Sequence, residues 1–260
     1  MHLPEPIEVH DTDRWNAVVQ GVNGGHLLQS WQWGELKGKY GWSPRRFLWG
    51  EHDRPLAAAQ LLFRSVFGRW TVAYCPKGPL LDWSKPELQE GILRSLASIA
   101  NQQDAIFLKI DPELVIGTGA PGEEDAIEDE TVGPILNAWR ALGWRPSNEQ
   151  IQFKNTMVIP LDHDEETLLM DMKSKTRYNV RLAGRRGVEV RRGSLDDLDL
   201  LYRMYAETSV RDGFVIRHQG YYADAWGSFM EVGLAQPLIA EVEGEPVAGV
   251  TVSAATRLYL

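Results

Sequence analysis

An internal echo constrains this chain more than any single motif does. Phe47 to Phe63 reads as two strands around a turn, with Asp53-Arg54-Pro55-Leu56-Ala57-Ala58 at its centre. Pro237 to Ala254 repeats the design around Glu243-Gly244-Glu245-Pro246-Val247-Ala248-Gly249, which places Pro246 191 positions after Pro55. In both, an apolar run meets a polar turn, then a proline, then a second run of small and β-branched residues. That is hairpin chemistry. Polar residues reverse the chain, and proline sits where a strand begins and no ladder donor is required.

Helical segments precede each hairpin. Asp11 to Gln20 and Trp31 to Tyr40, the second capped by Ser30, come before the first. Leu195 to Val210, opened by the capping box Ser194-x-x-Asp197, and His218 to Val232 come before the second. After the first hairpin, periodicity predicts strand Trp70 to Tyr74 and helix Lys85 to Asn101, the latter with a capping box Ser84-x-x-Glu87. Strand Ala105 to Ile110, helix Ile135 to Leu142 ended by Gly143, and strand Ile151 to Ile159 follow. The reading is α+β: two tandem lobes over 1–159 and 160–260, each a mixed, mostly antiparallel sheet flanked by helices. The second lobe reaches only a strand at Arg257 to Leu260, matching Arg69 to Val72 of the first, and is expected to be incomplete.

Composition excludes several classes. No apolar stretch approaches the roughly 18 residues of a membrane helix. The acidic, proline-containing start, Met1 to His10, is not a signal peptide, so a cytoplasmic location is expected. A single cysteine, Cys75, rules out an intramolecular disulfide and reads as buried strand packing. The six histidines are scattered, with no pair at helical spacing, so no metal site is read. Gly117 to Gly133 is acidic and nearly free of aliphatic residues, and is expected to be a flexible surface loop.

One segment contradicts the net charge of −9. From Lys173 to Arg192 eight basic residues face one acid, Glu189. Lys173, Arg177, Arg181 and Arg185 recur every four residues and form one helical stripe, while Met172, Thr176, Val180 and Ala183 are expected to pack inward. A solvated face is the simpler account. Yet like charges at this spacing repel by about 0.2–0.5 kcal/mol per pair, and no acid relieves them. The stripe therefore points to a phosphate-bearing partner.

The stretch from Met172 to Val188, Met-Lys-Ser-Lys-Thr-Arg-Tyr-Asn-Val-Arg-Leu-Ala-Gly-Arg-Arg-Gly-Val, closely resembles a signature of the Fem aminoacyltransferases. Other similarities follow in order. They are Gln29-Ser30-x-x-Trp33-Gly34-Glu35-Leu36-Lys37, the turn Pro76-Lys77-Gly78-Pro79, the strand end Leu108-Lys109-Ile110-Asp111-Pro112, and Phe214-x-x-Arg217-x-x-x-Tyr221-Tyr222. The turn departs from the family in carrying Lys77 where Arg is usual.

The resemblance implies two GNAT-like (N-acetyltransferase-like) lobes, the second incomplete here and opening with a basic helical segment, 173–187. It implies transfer of an amino acid from aminoacyl-tRNA to the stem peptide of a lipid-linked or UDP-linked muropeptide, a cell-wall precursor. It also implies peripheral contact with the inner membrane face and no cofactor beyond the tRNA ester. By the same resemblance Lys37, Arg217 and Tyr221 hold the precursor's diphosphate region. Asp111 is the catalytic carboxylate, and Lys173, Lys175, Arg177 and Arg181 bind tRNA or phosphate. Ten tryptophans is a high number; Trp31, Trp33, Trp42 and Trp49 cluster near the expected cleft entrance, and core packing is expected to account for most of them. Two alternatives stand beside this. One is an acetyl-CoA N-acetyltransferase, whose Gln/Arg-x-x-Gly-x-Gly/Ala phosphate loop the sequence lacks; the other is a non-catalytic binder of anionic lipid or nucleic acid.

Overall fold

The computed structural model describes residues 3–22, 24–51, 54–66, 68–120, 122–124 and 126–253. The expected strand Arg257 to Leu260 and turn residue Asp53 lie outside the described residues. The chain divides into two compact units, Met1–Gln152 and Phe153–Leu260.

Unit 1 is built on a sheet ordered β1 (Ile7–Glu8), β2 (Ser43–Glu51), β3 (Arg54–Val66), β4 (Trp70–Cys75) and β6 (Ala105–Ile110), with β5 (Leu80–Leu81) also on β3. Only β4 and β6 run parallel, so the sheet is mixed, as expected for the α+β class. Helix α3 (Pro86–Gln102) presents Leu88, Ile92, Leu96 and Ile99 to one sheet face, against Phe47, Trp49, Ala57, Ala59 and Leu61. Burying each such Leu or Ile contributes about 1.5–3 kcal/mol. The other face takes Trp15, Val18 and Val19 of α1 (Thr12–Gly21) against Leu48 and Ala58.

Several expectations change. The capping box at Ser84 does not form. Its N–H and hydroxyl both donate to Asp82 Oδ1, at 3.0 and 2.6 Å, and Pro86 opens the helix instead. In the acidic stretch 117–133, Gly117–Thr118 (β7) and Ile127–Glu128 (β8) pair as a short antiparallel ribbon, and helix α4 (Val132–Ala141) begins within it. Residues 151–159 form no strand: Phe153 is 92% exposed, and a strand persists only where a neighbour accepts its ladder. Trp49 is fully buried in the core, its indole N–H donating to Ser95, so it does not stand at a cleft entrance.

Unit 2 comprises α5 (Glu165–Asp171), α6 (Ser174–Arg185), β9 (Val188–Arg192), a 3-10 turn at Leu195–Asp197, α7 (Leu198–Asp212), α8 (Gln219–Glu231), β10 (Ala235–Val242) and β11 (Glu245–Ser253). Its sheet runs β11-β10-β9, all antiparallel. The Ser194 capping box is present. No residue of α6 is buried, and Thr176 and Val180 are exposed, so they do not pack inward; the two-residue turn Arg186–Gly187 links α6 to β9.

The echo extends to individual pairs. In the first hairpin Glu51 pairs with Arg54 and Gly50 with Pro55, and a bulge then skips Leu56 so that Trp49 meets Ala57. In the second, Val242 pairs with Glu245 and Glu241 with Pro246, and Ala240 meets Ala248 past the same bulge at Val247. Both units also order their elements strand, helix, helix, strand, strand.

Candidate active site

Parallel pairing brings the ends of β4 and β6 side by side, with Tyr74 opposite Lys109 and Cys75 opposite Ile110. The next residue after β6 is Asp111. After β4 comes the turn Pro76-Lys77-Gly78-Pro79, in which Lys77 takes a left-handed φ of 49° and the Gly78–Pro79 peptide is cis. A Cβ on Gly78 would lie 2.8 Å from Cys75 Sγ and 2.9 Å from Gln29 Nε2, so only glycine fits this approach. The turn directs the Lys77 N–H to Asp111 Oδ1, while the Tyr74 hydroxyl donates to Asp111 Oδ2 at 2.7 Å. Gln152 reaches the same hydroxyl at 3.4 Å.

Both carboxylate oxygens of Asp111 are thus held. Burial pushes its pKa above the usual carboxylate range, and the bonds from Tyr74 and Lys77 partly restrain that rise. Burial likewise raises Tyr74, which stays a neutral donor, and Cys75, which is a fully buried inert thiol as its sequence context indicates. The Lys77 ammonium turns away to Glu113 at 3.1 Å, with His26 Nε2 3.9 Å from the same carboxylate.

A buried polar network ties helix α2 (Trp31–Lys39) to this turn. Gln29, fully buried, accepts from Gln60 N–H at 2.7 Å and donates to the Pro76 carbonyl. Gln60 in turn accepts from Arg46 Nε at 2.8 Å, and Arg46 donates to the Trp31 carbonyl and Glu35 at 3.1 and 3.0 Å. Gly34 admits this network, since a Cβ there would come within 2.3 Å of Arg46 Nη2 and of Gln60 Oε1. The helix so fixed carries Lys37, whose ammonium lies 5.3 Å from the Trp33 ring and 6.0 Å from that of Trp42. Trp31 lies instead under the Arg46 guanidinium, at 3.5 Å.

In unit 2, Gly213 (φ 74°) ends α7 and His218 caps α8, accepting the Tyr221 N–H at 3.3 Å. Arg217 stands between them. Its carbonyl accepts from Tyr202 and its N–H donates to the Tyr222 hydroxyl, both at 3.4 Å. The exposed guanidinium lies 4.6 Å from the buried Tyr221 ring. Arg217 and Tyr221 are therefore brought together as one cation–aromatic unit.

The basic stripe divides in two. Arg177 Nη1 donates to the carbonyls of Leu169, Met170 and Met172, at 3.3, 2.8 and 3.1 Å, and so caps the end of α5. Arg191 is neutralised by Asp197 and Glu241, each at 2.7 Å. Lys173, Lys175 and Arg181 are exposed and have no carboxylate partner among the described residues. Among the described residues no group of three or more His, Cys, Asp or Glu could hold a metal ion.

A strand-end carboxylate held by a neighbouring strand's tyrosine and turn, on two units of one design, accompanies a match to the FemAB family model over residues 11–243. The chain belongs to the FemAB family. It is 31% identical over 240 residues to the lipid II:glycine glycyltransferase of Staphylococcus saprophyticus, covering 89% of this chain and 55% of that protein. It is 30% identical over 236 residues to the enzyme of the same name from Staphylococcus aureus, covering 88% and 53%. The crystal structure of FemX matches with a TM-score of 0.75 at 29% identity, over 91% of this chain and 58% of that one. This FemAB chain thus spans about half the length of the curated relatives it matches.

Sequence reasoning passed over Tyr74, Gln29, His26 and Glu113. Gln29 and Lys77 lay inside quoted motifs. Tyr74 carried a signal only through strand pairing, which sequence spacing does not give. No described helix is long and apolar enough to cross a membrane.

Proposed function

We propose that this FemAB protein transfers an amino acid from aminoacyl-tRNA to the stem peptide of a lipid-linked peptidoglycan precursor. The observation that carries the reading is the Asp111 carboxylate, part-buried and oriented through both oxygens. The relatives named lipid II:glycine glycyltransferase support the acceptor class.

In this mechanism the precursor's neutral amine attacks the ester carbonyl of the aminoacyl-tRNA. A C–N bond forms, the carbonyl oxygen gains charge, and Asp111 takes the proton the amine sheds. Collapse breaks the ester C–O bond, and the proton passes to the departing ribose oxygen. The raised pKa of Asp111 makes it a better proton acceptor than an exposed aspartate, and Tyr74 and Lys77 fix its direction. Lys37 in unit 1, as a point charge, and Arg217 beside Tyr221 in unit 2, through its bidentate fork, are each assigned to binding the precursor's phosphates. Lys173, Lys175 and Arg181 contact the tRNA backbone; Arg177, bound to α5, supports that helix pair rather than the ligand. The tRNA ester supplies the activated acyl group, so no cofactor enters, and the protein works in the cytoplasm against the inner membrane face.

Incubating the protein with radiolabelled aminoacyl-tRNA and purified lipid-linked precursor tests the reading. Labelled muropeptide is expected. Its absence with every amino acid tried overturns the proposal.

A further inference from the structure

Strand β3 changes partners partway along its length, and a side chain fills the gap. It pairs with β4 from Val66 to Leu62 and with β5 at Ala58 and Ala57, while no strand meets Gln60 on that side. There the chain leaves the ladder through the turn from Pro76 to Pro79. The Gln29 amide takes the missing strand's place. Its Oε1 accepts the Gln60 N–H at 2.7 Å, and its Nε2 donates to the Gln60 carbonyl at 3.4 Å and to the Pro76 carbonyl. The bond to Pro76 is one that closing the ladder does not require.

That bond is one step from Asp111. The Pro76 carbonyl and the Lys77 N–H belong to the same planar peptide unit, so holding the oxygen fixes the direction of the N–H. That N–H donates to Asp111 Oδ1. A donor on the peptide oxygen also polarises the unit and strengthens the bond made by its N–H. At its other end Gln29 is anchored. It is fully buried; its carbonyl accepts the indole N–H of the equally buried Trp15 at 2.7 Å, and its N–H donates to the His26 carbonyl at 2.8 Å. Ser30, the next residue, caps α2, the helix of Lys37.

We propose that Gln29 is a positioning residue for Asp111: by holding the Pro76 carbonyl it aims the one peptide N–H that orients the carboxylate, and it ties that aim to helix α2. The consequence for catalysis rests on the aminoacyl-transfer reading; the consequence for the carboxylate itself does not. Gln29 touches no substrate and acts only through the turn.

The variant Gln29→Met keeps the length of the side chain and removes both polar atoms. Its kcat for transfer is expected to fall at least tenfold, with KM for the lipid-linked precursor within about twofold of wild type. The Lys77 bond restrains the rise in the Asp111 pKa, so loosening it is expected to move the acid limb of the kcat profile to higher pH. Carboxyl-carbon NMR titration of the free protein, with Asp111→Asn identifying the resonance, is expected to show the same upward shift without any substrate. Where Gln29→Met does not fold, Gly78→Ala gives the same three readings, because its Cβ would press on Gln29 Nε2 at 2.9 Å and part the amide from the turn. A folded variant with unchanged kcat and an unmoved Asp111 titration, whatever its urea midpoint, makes Gln29 structural only and overturns the proposal. The two readings fail separately. A shifted Asp111 titration in a protein that transfers nothing removes the proposed reaction and leaves the positioning; transfer with an unmoved titration removes the positioning alone.

Discussion

The two units answer the same hairpin code in different surroundings. In unit 1 the face bearing Phe47, Trp49, Ala57, Ala59 and Leu61 is sealed by α3, and the last three residues are fully buried. The matching positions of unit 2, by the shared register past the bulge, are Leu238, Ala240, Ala248, Val250 and Val252. There Val250 is 58% exposed, and Val190 on the adjacent strand 65%. Local chemistry, a polar turn followed by proline and a bulge, therefore sets the register alone. Burial is set by whatever element lies over the face. A second contrast concerns the residue before each helix cap. In unit 1 it is Gln29, fully buried and committed to Gln60 and Pro76; in unit 2 it is Arg217, exposed and resting on Tyr221. One position is locked into the buried network, and its counterpart leaves a cation exposed on an aromatic ring.

The division of roles gives the largest expected effects. Asp111→Asn keeps the shape of the side chain and removes the base, so transfer should fall by about 10²–10⁴-fold, the usual worth of general base catalysis. Precursor affinity should stay within about twofold, because the diphosphate contacts are untouched. Arg217→Met and Lys37→Met should do the reverse, each weakening precursor binding by about 10- to 100-fold in calorimetry, as loss of a charged hydrogen bond does. If Asp111→Asn weakens binding as much as Arg217→Met does, the separation of a proton-accepting role for Asp111 from a binding role for Lys37 and Arg217 breaks.

The next test concerns coverage of the shared sheet face. Leu61→Ala should cost unit 1 about 2–5 kcal/mol in urea unfolding, because a fully buried leucine loses its contacts and leaves a cavity under α3. Val250→Ala should cost unit 2 within about 0.5 kcal/mol, the range of exposed surface changes. Equal losses would show that the unit 2 face is covered in solution after all.

The contrast also explains what the sequence could reveal. The hairpins were legible because proline, turn polarity and β-branched runs are local, although the first hairpin's strands run from Ser43 to Val66, beyond the Phe47–Phe63 read from the sequence; the Ser30 cap was legible from its own local pattern. The Ser84 capping box failed because Asp82, two residues earlier, competes for the same hydroxyl. Residues 151–159 carry a strand's pattern, yet pairing depends on a neighbour that no local pattern supplies. Asp111 stands out in the sequence as the carboxylate ending a strand before Pro112, but its hydrogen-bond partner Tyr74 became visible only once β4 and β6 paired in parallel. Arg177 shows the same limit from the other side. The stripe's spacing was right, but one of its members turns back to α5, a choice fixed by the Met172 break between the two helices.

The smallest effect separates the two histidine caps. His26 Nδ1 accepts the Leu28 N–H at 3.0 Å in unit 1, as His218 Nδ1 accepts from Tyr221 in unit 2. His26 is the more enclosed, and burial pushes its pKa below the ordinary value, with Glu113 opposing and Lys77 reinforcing the shift. A depressed folded-state pKa means the folded form binds fewer protons than the unfolded one. Its contribution to stability is therefore fully present above the unfolded value, about 6.5, and is lost as pH falls through the lower folded value. Protonating Nδ1 would also remove the acceptor that caps the 3-10 turn before α2, and that turn holds Gln29. Unit 1 should accordingly lose on the order of 1 kcal/mol, the worth of one cap, between pH 7 and pH 5. His26→Asn retains a capping oxygen that does not titrate, so the variant should show a flatter urea-midpoint profile over that range. An unchanged slope in His26→Asn would assign the acid sensitivity to other groups and leave the two caps equivalent.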